Sequence, residues 1–160
     1  MKARVQRLRA EVKSDRAAFE ARVAELGGVD LSAAASSEAD LARAALALHH
    51  AYSAVESLLV RVSRTIEGSL PEGADWHQAL LDAMVLEIEG VRPRVLADQT
   101  ARLLRRLLGF RHFLRHGYAV PLDRERLERL RSDALALAPR LAADLDSLDS
   151  LLQRLAERAE

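Results

Sequence analysis

The feature that most constrains the fold is a run of apolar residues near the carboxyl end, spaced three or four positions apart. The run consists of Leu127, Leu130, Ala134, Leu137, Leu141, Leu145, Leu148, Leu152 and Leu155. Residues at these spacings lie on one face of an α-helix, because the helix has 3.6 residues per turn. Such a long apolar face has to be buried against other helices. The run therefore predicts a long helix that begins near Asp123 and that Pro139 would kink or divide.

The first half of the chain repeats this pattern in two further helices. Apolar residues at helical spacing predict helix 1 over about 3–26, ended by Gly27 and Gly28. Ser37 followed by Asp40 is a variant of the capping box, which predicts the start of helix 2. The turn residues from Gly68 onward predict its end.

The middle of the chain predicts two more helices. A short helix 3 is expected over about 76–88, with Asp75 as its N-cap. Pro93 is placed well to be the first residue of helix 4, which should run to about Arg115 before Gly117. Val and Ile never alternate with polar residues over the length of a strand. The sequence thus predicts an all-α, up-and-down bundle of four or five helices in one domain spanning residues 1–160.

Composition narrows the class of function. The 24 basic and 24 acidic residues cancel, which argues against a protein that coats nucleic acid by bulk charge. The absence of cysteine excludes disulfides, Cys-ligated zinc and thiol catalysis. No apolar run is long enough to span a bilayer, and no signal-peptide core follows Met1. We therefore expect a cytoplasmic protein without a membrane partner.

The segment with the clearest chemistry is Gly109–Tyr118, at the predicted end of helix 4. It carries Arg111 and His116, five residues apart, just before a glycine stop. An imidazole that titrates near neutral pH can transfer protons. A guanidinium can bind a phosphate with two hydrogen bonds and stabilise the charge that develops during phosphoryl transfer. Together these groups suffice to cleave RNA through its own 2′-hydroxyl without a metal, although a solvated helix end is the simpler alternative.

The specificity of this pattern depends on its length. Chance alone supplies about 0.7 pairs of Arg-x4-His in a chain of this composition, so the short pattern is weak. Requiring a polar residue at position 112 and a tyrosine at position 118 lowers that expectation to roughly 0.002. The extended pattern Arg-His-x3-His-x-Tyr is therefore informative.

The stretch Arg111-His112-Phe-Leu-Arg-His116-Gly-Tyr118 resembles the signature of the HEPN superfamily. Its trailing His-x-Tyr element is similar to the version found in HepT-like toxins. Residues 51–56, 67–77 and 107–113 also resemble members of this group, so that the likeness covers roughly residues 38–130.

The resemblance implies a homodimer, or a higher homo-oligomer, in which both copies of the motif face one cleft. It implies that Arg111 and His116 are catalytic and that His112, where many members have Asn, shapes the site. Members are commonly encoded beside a nucleotidyltransferase antitoxin, which would be the partner here. Tyr118 would then be the acceptor of adenylyl groups.

The leading expectation is therefore a metal-independent endoribonuclease toxin without a cofactor. The alternative is a non-catalytic HEPN bundle that binds a nucleotidyltransferase or serves as its scaffold, and a third is a helical adaptor with an accidental motif. Glu56, one turn after Tyr52, either sets the direction of Arg111 or forms an ordinary salt bridge. His112 and His116 have the i,i+4 spacing of metal ligands, but no carboxylate is found at a useful position after them, so no metal is expected.

Overall fold

The computed structural model describes residues 2–32, 37–117 and 121–158. Across these ranges it contains five α-helices and no strand, which confirms the all-α prediction. The helices are α1 Lys2–Gly27, α2 Glu38–Val62, α3 Trp76–Met84, α4 Asp98–His116 and α5 Arg124–Arg158. α1 packs on α2 and α5, α4 packs on the same two helices, and the short α3 covers α4. None of the described helices is both long and apolar enough to cross a membrane.

The predicted apolar run of α5 is the central ridge of the core. Every member from Leu127 to Leu152 is buried, and Leu155 is partly buried beside the buried Ala156. Burial of each leucine contributes roughly 1.5–3 kcal/mol to the free energy of unfolding. α5 continues through Pro139 as one helix, so of the two predicted alternatives, a kink or a division, the division is wrong. The packing of leucines on both sides of the proline offsets the one hydrogen bond that its ring removes.

The start of α2 agrees with the sequence in detail. The Ser37 hydroxyl accepts a hydrogen bond from the Asp40 backbone N–H at 3.2 Å, and the Asp40 carboxylate accepts one from the Ser37 backbone N–H at 3.0 Å. This reciprocal pair is the capping box. The carboxyl end of α2 differs, because its last turn widens into a π-helix over Ser63–Glu67. Gly68, with φ of 79°, then ends the helix as predicted.

Two predicted helix boundaries in the middle of the chain are wrong. Helix 3 ends at Met84, four residues before the predicted end, and helix 4 begins at Asp98 rather than at Pro93. Between them the backbone N–H groups of Val95 and Leu96 both donate to the carbonyl of Met84. Asp75 occupies the N-cap position of α3, but its side chain makes no capping hydrogen bond.

Buried Arg92 explains these shifted boundaries. Its side chain is 0% exposed, and its Nε donates to the Glu67 carboxylate at 2.7 Å. Its Nη1 and Nη2 donate to the carbonyls of Leu86 and Ala83 at 2.8 and 3.0 Å. A continuous helix would need these carbonyls for its own hydrogen bonds, so the guanidinium stabilises an irregular segment in their place. Nothing in the helical periodicity of the sequence indicates this arrangement.

We predict that Arg92→Leu lowers the free energy of unfolding by about 3–5 kcal/mol, because it leaves the Glu67 carboxylate and several carbonyls without their buried partner. Chemical denaturation measures this loss. The control is Arg7→Leu, since the Arg7 side chain is 81% exposed and its pair with Glu11 is a surface pair. That variant should stay within about 0.5 kcal/mol of the wild type. Equal losses in the two variants would show that Arg92 does not hold this segment.

Candidate active site

The motif residues occupy the last two turns of α4. Arg111 turns inward, and its side chain is only 11% exposed. His112 and His116 lie one turn apart and are exposed, with ring centroids 6.5 Å from each other. α4 therefore presents a guanidinium to the interior and two imidazoles to the surface within one short segment.

α2 supplies the surface that faces Arg111. Tyr52 and Glu56 lie one turn apart on the same face of α2. The Arg111 Cζ lies 5.9 Å from the centre of the Tyr52 ring, and the Arg111 Nη2 lies 3.4 Å from Glu56 Oε1. His49 lies one turn before Tyr52 on this face, half-buried, whereas the adjacent His50 is exposed. Of the two predicted alternatives for Glu56, the structure shows a direct contact with Arg111.

Two of the nitrogen atoms of Arg111 lack a hydrogen-bond partner within the described part of the chain. Its Nε and Nη1 are buried and have no hydrogen-bond partner among the described residues, and the same holds for Nδ1 of His49. A buried polar group without a partner costs roughly 1–3 kcal/mol, and more when it is charged. Unpaired groups of this kind are rare in folded proteins, and a ligand that is bound during function is one explanation. The site thus offers donors to an anion.

The structure adds a residue that the sequence analysis did not single out as functional. His77, in the first turn of α3, lies with its Nδ1 2.6 Å from Glu56 Oε2. Its ring stacks on Trp76 at 3.8 Å and meets the His112 ring edge-on at 5.6 Å. The motif is local to α4, whereas this contact joins α2 to α3 through folding, so no spacing rule in the sequence predicts it.

The orientation of His116 fits a role in proton transfer. Its Nδ1 lies 2.9 Å from the backbone carbonyl oxygen of His112. A carbonyl oxygen can only accept, so Nδ1 carries the proton in this hydrogen bond. In the neutral ring the lone pair then resides on Nε2. A neutral imidazole held in this way presents its lone pair at Nε2, away from the helix backbone.

The structure brings some of the predicted residues together and leaves others apart. Glu56 contacts Arg111 directly and reaches His112 through His77. Within the part of the chain that the structure describes, Arg111 and His116 share no hydrogen bond. Tyr118, the predicted modification site, lies outside the described residues. Catalytic roles for Arg111, His112 and His116 stay predictions.

The environment favours neutral imidazoles beside a charged Arg111. Burial lowers the pKa of His112, and the positive charges of His77, Arg111 and His116 lower it further, against the opposing effect of Glu56. Burial also lowers the pKa of His49, with help from His50, Arg111 and Arg115. Burial raises the pKa of the Tyr52 phenol, and the charge and hydrogen bond of Glu56 add to this effect. Among the described residues no group of three or more His, Asp or Glu is arranged to hold a metal ion.

We predict that NMR titration will find the pKa of His112 below 6.5. The variant Arg111→Leu should raise that pKa, because it removes a nearby positive charge. The matched control is Arg105→Leu on the same helix, which should leave the pKa of His112 unchanged. A His112 that titrates alike in the wild type and in Arg111→Leu would contradict this account of the site.

The lowered pKa values of His49 and His112 predict how the stability of the protein changes with pH. Because the folded-state pKa values of His49 and His112 are lowered, the folded protein binds fewer protons than the unfolded chain just below pH 6.5. The free energy of unfolding should therefore decrease as the pH falls through this range. Urea denaturation on either side of this pH measures the change, and an increase in stability on acidification would contradict the lowered pKa values.

Comparison with known proteins identifies the family. The sequence model of the family described as "HepT-like protein" matches residues 43–152, which run from α2 into α5 and include Glu56, His77, Arg111, His112 and His116. No curated protein and no solved structure matches the chain. The matched region covers more than half of the 160 residues. The chain therefore belongs to the HepT-like proteins of the HEPN superfamily.

Proposed function

We propose that this protein is an endoribonuclease toxin that cleaves RNA without a metal. One observation carries the proposal. Two buried donors of Arg111 have no hydrogen-bond partner among the described residues, and the exposed imidazole of His116 follows five residues later on the same helix. A phosphodiester supplies the anionic oxygens that such donors bind. The family membership supports the assignment at the level of a HEPN-type toxin.

The proposed reaction uses the RNA's own 2′-hydroxyl. His116 Nε2 takes the proton of that hydroxyl, and the 2′-oxygen attacks the adjacent phosphorus. Arg111 stabilises the dianionic phosphorane through the charge of its guanidinium and through one of its two unpaired donors, Nε or Nη1. The bond to the 5′-oxygen then breaks, and a protonated imidazole gives its proton to the leaving oxygen. The products are a 2′,3′-cyclic phosphate and a 5′-hydroxyl.

Two catalytic imidazoles are needed, and a homodimer supplies them. Because Arg111 and His116 do not touch within the described part of one chain, a cleft between two chains can place one protomer's His116 opposite the other's. One imidazole then acts as base and the other as acid. His112, which contacts both His77 and His116, shapes the cleft beside them.

Control of the toxin is part of the proposal. The partner would be a nucleotidyltransferase antitoxin that transfers adenylyl groups to Tyr118, two residues after His116. An adenylate at that position would repel the RNA phosphate and occupy its space.

The decisive experiment measures cleavage of a labelled RNA by unmodified protein in excess EDTA. We expect cleavage to persist, and Arg111→Ala and His116→Gln each to lower kcat by about 10²-fold or more. Arg7→Ala and His50→Gln are matched controls, because both side chains are exposed and neither belongs to the proposed catalytic machinery. The controls should cleave like the wild type.

Two results would overturn the ribonuclease assignment. One is the absence of cleavage by unmodified wild-type protein, and the other is unchanged activity in both Arg111→Ala and His116→Gln. Either result would favour the non-catalytic bundle that binds a nucleotidyltransferase. Analysis of the RNA ends provides a further check, since the mechanism requires a cyclic phosphate.

A further inference from the structure

The ion pair between Arg111 and Glu56 has an unusual geometry. In another pair of this protein, Arg9 binds Asp149 through two parallel hydrogen bonds of 2.9 Å, from Nε and Nη2. Arg111 reaches Glu56 through Nη2 alone, at 3.4 Å. The Arg111 pair is the more buried of the two, and burial strengthens the preference for the two-bond geometry. Some other contact must therefore hold the Glu56 carboxylate.

His77 makes that contact. Its Nδ1 donates to Glu56 Oε2 at 2.6 Å, which is shorter than either hydrogen bond in the Arg9 pair. The stack on Trp76 at 3.8 Å fixes the plane of the His77 ring. Tyr52 adds a second hydrogen bond to the same carboxylate. The carboxylate of Glu56 is thus held by residues of α2 and α3, and this leaves only a single, longer contact with Arg111 on α4.

We propose that His77 is a positioning residue that holds Glu56 out of a two-bond pair with Arg111. The second donor that such a pair would occupy, Nε as in the Arg9 pair, then stays free to bind a phosphodiester. The inference rests on the proposed function only for the identity of that phosphodiester as RNA. The free donors themselves are a property of the structure.

A purely structural role for His77 makes a different prediction. If His77 only anchors α3 to α2, its loss lowers the free energy of unfolding and loosens the packing of α3. Neutralising Glu56 then cannot restore ligand binding. If His77 restrains Glu56, its loss lets the carboxylate swing onto Arg111 and compete with the ligand. Removing the charge of Glu56 then restores ligand binding. A double-mutant cycle separates the two roles.

The experiment measures binding of a short 2′-O-methyl RNA, which lacks the nucleophile for cleavage, by fluorescence anisotropy. His77→Phe keeps an aromatic ring on Trp76 and removes the donor, and it should weaken binding roughly tenfold, as expected for one charge-assisted contact. His77→Asn keeps a donor near the position of Nδ1 and should bind like the wild type. His77→Phe combined with Glu56→Gln should regain wild-type affinity.

The outcomes are distinct from those of the cleavage assay. Wild-type affinity in His77→Phe, or failure of the added Glu56→Gln to restore binding in a protein with a normal melting transition, overturns the role of His77. No binding of the oligonucleotide by the wild type also overturns it. Binding that obeys the predicted cycle, without cleavage of ordinary RNA, keeps the inference and rejects the ribonuclease.

Discussion

The hydrogen bond between Glu56 and His77 is the contact on which the site depends. It joins α2 to α3 across 21 residues of sequence, and Arg111 of α4 contacts the same carboxylate. A carboxylate that is largely removed from water requires several partners, and Glu56 finds them on all three helices. Glu56 contacts Arg111, which lies over the Tyr52 ring, and His77 in turn meets the ring of His112. This hydrogen bond therefore fixes the carboxylate that Arg111 meets, whereas His116 is oriented by the carbonyl of His112 on its own helix.

The distribution of charge around α4 distinguishes Arg111 from two of its neighbours in a protein with no net charge. Two basic residues on the outer face of α4 are matched individually, Arg105 by Asp82 and Arg106 by Asp133. Arg111 differs from these two, because the carboxylate that it contacts, Glu56, is shared with His77 and Tyr52. The lowered pKa of His112 removes a second positive charge from its vicinity. The proposed binding of phosphate at Arg111 therefore depends on an incompletely paired guanidinium and not on the net charge of the protein.

Helices and core were predictable because they depend on periodicity. The leucine spacing of α5 and the Ser37–Asp40 box each describe a local structure that the chain forms regardless of distant residues. The boundaries near Pro93 were not predictable, because Arg92 binds carbonyls that precede it in the chain and a glutamate from the end of α2. A proline is a good first residue of a helix, but three buried hydrogen bonds outweigh that preference.

The residues of the candidate site also differ in how far the sequence predicts them. Arg111, His112 and His116 form a pattern within one helix, so the sequence shows them. His77 comes directly after a tryptophan at the start of a short helix, and its partner lies on another element. Only the folded chain reveals that His77 contacts both the carboxylate of Glu56 and the imidazole of His112.

The wide turn at Ser63–Glu67 has a consequence for how such a chain can vary in length. A π-turn holds one more residue than an α-turn, so it is the structure expected where a helix has absorbed a single insertion without breaking. The residues before it on α2 keep their register with Arg111, and the extra residue displaces only the part of the chain beyond the turn. Evolution can therefore lengthen or shorten the connection to His77 while the face of α2 that contacts Arg111 is inherited intact.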